Sequence, residues 1–200
     1  MMTTAQNRGW LFLLVGNSGS GKDTLIRSAA QRWPGGWPDL YTPHRYITRP
    51  AHPSEPFIAV SSDGFQQLRR KGGFFLEWVS YGVHYGLPAD IAAHLDRGAF
   101  VLANVSREVV ARARARHTDT RVVFIEVPLA VTAARLLRRG RELPGEKSYW
   151  DRLQRARQNP QYPEADLMLS NDGDLNLTVH ELTTWMVSQA RLVKEPMSVN

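Results

Sequence analysis

Near the amino terminus the chain reads Gly16-Asn17-Ser18-Gly19-Ser20-Gly21-Lys22-Asp23-Thr24, with a glycine, four residues, and then Gly-Lys. That spacing cradles phosphate: the glycines let backbone N–H groups turn inward and the lysine adds a charge. A helix starting at the lysine would also aim its positive end at the anion. Lys22 is the only lysine in the first 70 residues, so its place is not a by-product of lysine-rich composition. The next position usually carries a hydroxyl that ligates Mg²⁺; here it is Asp23, whose carboxylate is still a hard oxygen donor. Asp23 is therefore expected to hold magnesium directly or through water, and Thr24 to reach the α-phosphate of a nucleotide.

The charge agrees with phosphate chemistry. Residues 107–157 hold 13 Lys+Arg against 6 Asp+Glu, and the rest of the chain holds 12 against 13, so the excess lies in one stretch. Such a field attracts anions, small phosphorylated molecules or nucleic acid. Of the 25 basic residues 21 are arginine, which suits bidentate phosphate contacts but also follows from GC-rich coding. With no cysteine, the chain has no disulfides, thiolate catalysis or Cys-based zinc site, and its six histidines lack zinc spacing. The longest apolar run, residues 10–15, is too short for a membrane span or a signal core, so a cytoplasmic protein is expected.

The elements that must carry these residues alternate. Residues 10–15 read as a buried parallel strand, 22–33 as a helix stopped by Pro34-Gly35-Gly36, and 99–104 and 121–127 as further buried strands. Helices are expected at 62–71, 88–97, 106–117, 128–139, 148–158 and 174–191, and shorter strands at 45–48, 57–60, 75–80, 83–85 and 167–169. Strands alternating with helices predict a three-layer α/β core on a parallel sheet. Residues 41–86 interrupt that alternation and read as an inserted lobe. The core would then cover about 9–40 and 87–192, in one domain of 200 residues.

The cradle, Thr48-Arg49, Phe75-Leu76-Glu77-Trp78, Tyr85-Gly86, Arg135, Arg139-Gly140, Arg152 and Asn171-Asp172 together resemble the guanylate kinase family over residues 10–190 or so. The resemblance implies a P-loop kinase core with a small substrate lobe and a lid at about 139–152, using ATP and Mg²⁺. It implies that Arg49 and Tyr85 bind the acceptor's phosphate, that Arg135, Arg139 and Arg152 neutralise the transferring phosphoryl group, and that Asn171 lies near adenine.

The departures bear on the substrate. Family members read guanine with a serine, a glutamate and an aspartate; this chain has Arg45, Glu77 and Ser106 there. His52 replaces a second phosphate-binding arginine, Phe57 a phosphate-binding tyrosine, and Asn104 the carboxylate that ends a core strand. His44-Arg45-Tyr46-Ile47-Thr48-Arg49, Gly-Ser-Gly-Lys-Asp at 19–23 and Val101-Leu102-Ala103-Asn104-Val105-Ser106-Arg107 are similar to one branch, the ribose 1,5-bisphosphate phosphokinases of bacterial phosphonate catabolism. That branch makes 5-phosphoribosyl 1-diphosphate. For such an acceptor, which lacks a base but carries a second phosphate, Arg45 with Arg107 is the candidate to bind that phosphate and Glu77 to accept ribose hydroxyls, with Thr48 and Ser106 as further substrate-binding candidates. The alternatives are a kinase of GMP, which Glu77 favours and Arg45 and Ser106 oppose, and a non-catalytic interaction module, which need not keep Lys22 or the lid arginines. A nucleic-acid binder lacks any recognition motif. Arg112, Arg114, Arg116 and Arg138 read as solvated charges, and the sequence leaves the oligomeric state open.

Overall fold

A computed structural model describes residues 8–51, 56–139 and 146–192. His52 and residues 140–145 of the segment expected to form the lid lie outside the described residues. Two sheets organise the rest. The first is parallel throughout, in the order β2 (Leu40–Tyr41), β7 (Phe100–Asn104), β1 (Leu11–Gly16), β8 (Thr120–Glu126), β9 (Leu167–Ser170).

Pleating divides β1 between two cores. Leu11, Leu13 and Val15 face one side, with Val101, Ala103, Val122 and Phe124. Phe12 and Leu14 face the other, with Leu25 and Ala29 of α1 (Lys22–Gln31) and Leu182 and Met186 of α7 (Leu175–Leu192). Burial on both faces explains why these strands are continuous apolar runs rather than alternating ones. The first face is covered by α3 (Ile91–Asp96) through Ile91 and Leu95, and by α4 (Val110–Arg116) through Val110 and Ala113. The layers are helix, sheet, helix.

The second sheet runs β4 (Phe57–Ala59), β3 (Arg45–Ile47), β6 (Val83–Pro88), β5 (Phe74–Ser80). Its β3–β4 pair is parallel and the other two pairs are antiparallel. Helix α2 (Ser62–Arg70) packs Phe65 on Phe74, its start capped by Ser61 Oγ, which accepts from the Gly64 N–H at 3.0 Å. Leu76, Trp78 and Leu87 join this sheet to the first core. Two arginines of α4 that read as solvated charges also brace the join, Arg116 donating to the Phe75 carbonyl and Arg112 to the Glu77 carbonyl at 2.5 Å; a third, Arg114, pairs instead with Asp166, just before β9, at 2.9 Å.

Boundaries differ from the sequence expectation in three places. Leu40–Tyr41 is a strand of the core sheet, paired with Phe100 and Val101. Pro88 ends β6 instead of opening a helix, which begins at Ile91. Helix α1 stops at Gln31, two residues before Trp33. Helices α5 (Leu129–Arg139) and α6 (Lys147–Gln158) lie between β8 and β9 along the chain.

Candidate active site

The loop between β1 and α1 opens at the carboxyl end of the parallel sheet, beside the end of β7. Gly19 and Gly21 hold φ of +83° and +90°, a left-handed conformation that side chains rarely adopt. A Cβ on Gly21 would stand 2.4 Å from the Asn171 amide nitrogen. That nitrogen donates to the Ser20 carbonyl at 2.7 Å, and the Asn171 carbonyl accepts from Arg135 Nη2 at 2.8 Å. Asn171, 5% exposed, therefore braces the cradle from the end of β9.

Lys22 folds back over the loop. Its Nζ donates to the Gly16 and Asn17 carbonyls at 2.9 and 3.0 Å and to Ser20 Oγ at 3.2 Å. Burial pushes its ammonium down from 10.5 to about 7, helped by Arg45, Arg139 and Arg107 and opposed by Asp23. Asp23 sits at the seam between the two sheets. Arg45 Nη2 contacts its two oxygens at 3.1 and 3.2 Å, and Asn104 donates to Oδ1 at 2.8 Å. Burial raises the Asp23 carboxyl, but Arg45, the Asn104 hydrogen bond and Lys22 outweigh it and hold the group ionised, below its ordinary value.

Around this seam lies a cleft of about 470 Å³. Its cations are Lys22, Arg45, Arg49, Arg135, Arg138, Arg139 and Arg152, and Asp23 is the sole acid among the described lining residues. Arg138 thus stands at the cleft rim, where the sequence suggested a solvated charge. Thr24 and Tyr85 also line the cleft. Arg49 lies over the Phe57 ring at 4.7 Å, Tyr85 stacks on Trp78 at 5.4 Å, and Arg152 donates to Ser18 Oγ at 3.0 Å. A smaller compartment of about 130 Å³ adjoins it, walled by Arg45, Ser106, Arg107, Arg152, Arg155 and Tyr81. There Arg107 Nη2 donates to Asn17 Oδ1 and the Asn159 carbonyl, both at 3.1 Å, with its guanidinium over Phe124 at 4.8 Å.

Two expected ligands are not brought to this site. Trp78 and Tyr85 stack on the face toward the cleft, so the pleat turns Glu77 to the opposite face, where its Oε1 pairs with Arg69 of α2 at 2.8 Å. Glu77, expected on ribose hydroxyls, is not among the residues that line the cleft in this structure. Thr48 is spent on β-structure: its Oγ1 accepts from the His84 N–H at 2.9 Å. Asn171 braces the loop rather than presenting its amide to a base. Arg155 and Tyr81 were missed. Spacing held a signal for the first, because Arg155 lies one helical turn beyond Arg152. No sequence signal marks Tyr81, held at φ +51° in the β5–β6 turn.

A phosphate loop on a parallel sheet, an arginine-lined cleft and a second small sheet define a nucleotide-dependent phosphotransferase. The guanylate kinase family model matches residues 8–189, and the chain belongs to that family. The fold is similar to guanylate kinase from Anaplasma phagocytophilum, with a TM-score of 0.67 at 14% identity over 96% of this chain and 97% of that one. Sequence similarity points further, to ribose 1,5-bisphosphate phosphokinase PhnN. The protein of that name from Acidiphilium cryptum is 46% identical over 69% of this chain and 73% of its own. That from Thiobacillus denitrificans is 37% identical over 88% and 92%.

Proposed function

We propose that this protein transfers the γ-phosphoryl group of ATP to the 1-phosphate of ribose 1,5-bisphosphate. The bond between γ-phosphorus and the β–γ bridging oxygen breaks, a bond to a 1-phosphate oxygen forms, and ADP and 5-phosphoribosyl 1-diphosphate leave. The observation that carries the reading is the chemistry of the acceptor side. Arg45 occupies a guanine-reading position and faces the cleft, while Glu77, the remaining guanine reader, is turned away and paired with Arg69. Among the described lining residues guanine's N–H donors would meet one carboxylate, Asp23, already held by Arg45; a second phosphate would meet guanidinium groups.

The acceptor oxygen is already anionic, so no general base is needed, and the residues need only align two polyanions and neutralise charge. Backbone N–H groups of residues 16–21 and Lys22 hold the β- and γ-phosphates, and Thr24 reaches the α-phosphate. Arg49 and Tyr85 hold the 1-phosphate. Arg139 and Arg152 close on the transferring group, and Arg135 keeps the cradle in shape. Asp23 is ionised and offers hard oxygens, so it fits Mg²⁺ accompanying ATP once Arg45 is drawn to the acceptor. Bound there, Mg²⁺ would spread the phosphate charge.

The test offers Mg²⁺ and ATP with ribose 1,5-bisphosphate or GMP in parallel and identifies products by phosphorus NMR. The sugar diphosphate is expected. Faster formation of GDP would overturn the proposal.

A further inference from the structure

We infer that the smaller compartment is the subsite for the acceptor's distal phosphate, and that Arg155 of α6 is its specificity-determining residue. This rests on the functional reading above. The compartment shares Ser18, Arg45, Tyr85, Asn104 and Arg152 with the main cleft, so one small molecule can span both. Four arginines wall it, and no Asp or Glu is among its described lining residues. At about 130 Å³ it is well below the size of pockets that enclose drug-sized ligands, and it suits a phosphate group.

Its donors are fixed but not exhausted. Arg45 and Arg107 engage their protein partners through Nη2. Arg155 engages Glu108 through Nη2 at 3.2 Å, and its guanidinium lies 5.6 Å from the Tyr81 ring. The same ring faces Arg152 at 4.8 Å. Tyr81 thus sets the approach of both α6 arginines, and its left-handed backbone is the cost of placing a ring at the tip of the hairpin.

Helix α6 consequently faces both substrates. Arg152 reaches the cradle at Ser18, and Arg155, one turn on, walls the acceptor compartment. A distal phosphate held by Arg155 would fix the helix that carries Arg152, so binding energy remote from the reacting atoms appears as turnover. An acceptor without that phosphate should lose kcat as well as affinity.

The experiment compares kcat and KM for ribose 1,5-bisphosphate and ribose 1-phosphate in the wild type, Arg155→Ala and Arg155→Lys, with thermal melting as a folding control. In Arg155→Ala, kcat/KM for the bisphosphate should fall about 10- to 100-fold, the loss expected for a hydrogen bond between charged groups. The fall for ribose 1-phosphate should be at least fivefold smaller, and Arg155→Lys should recover part of the bisphosphate rate. Equal losses on both acceptors, in a variant that melts like the wild type, would overturn the subsite while the activity stands. A wild type inactive on the bisphosphate would overturn the functional reading itself.

Discussion

On the proposed reading, nucleotide binding should take up a proton at Lys22. In the nucleotide-free protein burial lowers its ammonium from 10.5 to about 7. Phosphates arriving in the cradle favour the charged form and pull the proton affinity back up. At pH 8, about one unit above the folded value, roughly a tenth of the protein carries the proton, so binding takes up nearly one proton per nucleotide. Affinity should fall about tenfold per pH unit above 7, or about 1.4 kcal/mol per unit. The same shift acts on stability with a fixed sign. Below pH 7 the lysine is protonated folded and unfolded and contributes no pH dependence. Between 7 and 10.5 the unfolded chain holds the extra proton, so nucleotide-free stability rises with pH, by at most about 1.4 kcal/mol per unit from this group. Calorimetry of ATP binding at pH 8 in two buffers of different ionisation enthalpy reads the uptake directly. Lys22→Arg, which stays charged, should abolish the uptake while retaining some affinity. Uptake that persists in Lys22→Arg, or wild-type affinity flat from pH 6.5 to 8.5, would refute the reasoning.

Other consequences follow from the same seam. Asp23→Asn should raise the Mg²⁺ concentration for half-maximal rate several-fold more than it changes KM for the sugar phosphate, since it removes an ionised oxygen donor and leaves the Asn104 neighbour in place; a magnesium titration unchanged by the substitution would remove Asp23 from the metal's surroundings. Gly21→Ala should lower stability by about 1–3 kcal/mol and weaken ATP, because φ is +90° and the new Cβ would strike Asn171; a melting temperature equal to wild type would show the loop to be more pliant than its geometry indicates.

The core was legible because its strands are buried on both faces and read as unbroken apolar runs, β1 above all. Strand β2 was not. Two residues between prolines show no period, and only pairing with β7 makes Leu40–Tyr41 a strand. The cradle was legible because its glycines and lysine serve one loop. Glu77 misled because a motif gives order along the chain and not the face of the sheet. The register shifts between Phe74 and Leu76, Phe75 and Leu76 are both buried, and Glu77 is left toward α2. Arg107 shows the converse case: its place at the compartment was expected, but its tethering by Asn17, Asn159 and an aromatic ring depends on contacts up to 90 residues apart.

How the cleft keeps so many cations near one another is itself informative. Away from it, Arg69 and Arg114 are matched to carboxylates, Glu77 and Asp166. Inside it and the adjoining compartment, Lys22 is held by the carbonyls of Gly16 and Asn17, Arg135 by those of Ser20 and Asn171, and Arg107 by Asn17 and Asn159. Neutral acceptors fix a cation's direction without cancelling its charge. All three groups are pushed below their ordinary proton affinities, chiefly by burial, which means their charged forms are under-solvated in the free protein. A phosphate entering the cleft supplies what they lack, so the cost of holding them is carried by the fold and returned on binding. Arg155, matched to Glu108, and Arg45, matched to Asp23 across the two sheets, are the exceptions. With a metal-bound nucleotide on one side and a sugar bisphosphate on the other, each member of the Arg45–Asp23 pair has a better partner. On the proposed reading that pair is exchanged for substrate contacts at least cost when both substrates are present, the condition under which phosphoryl transfer would be productive and hydrolysis of ATP by water least able to compete.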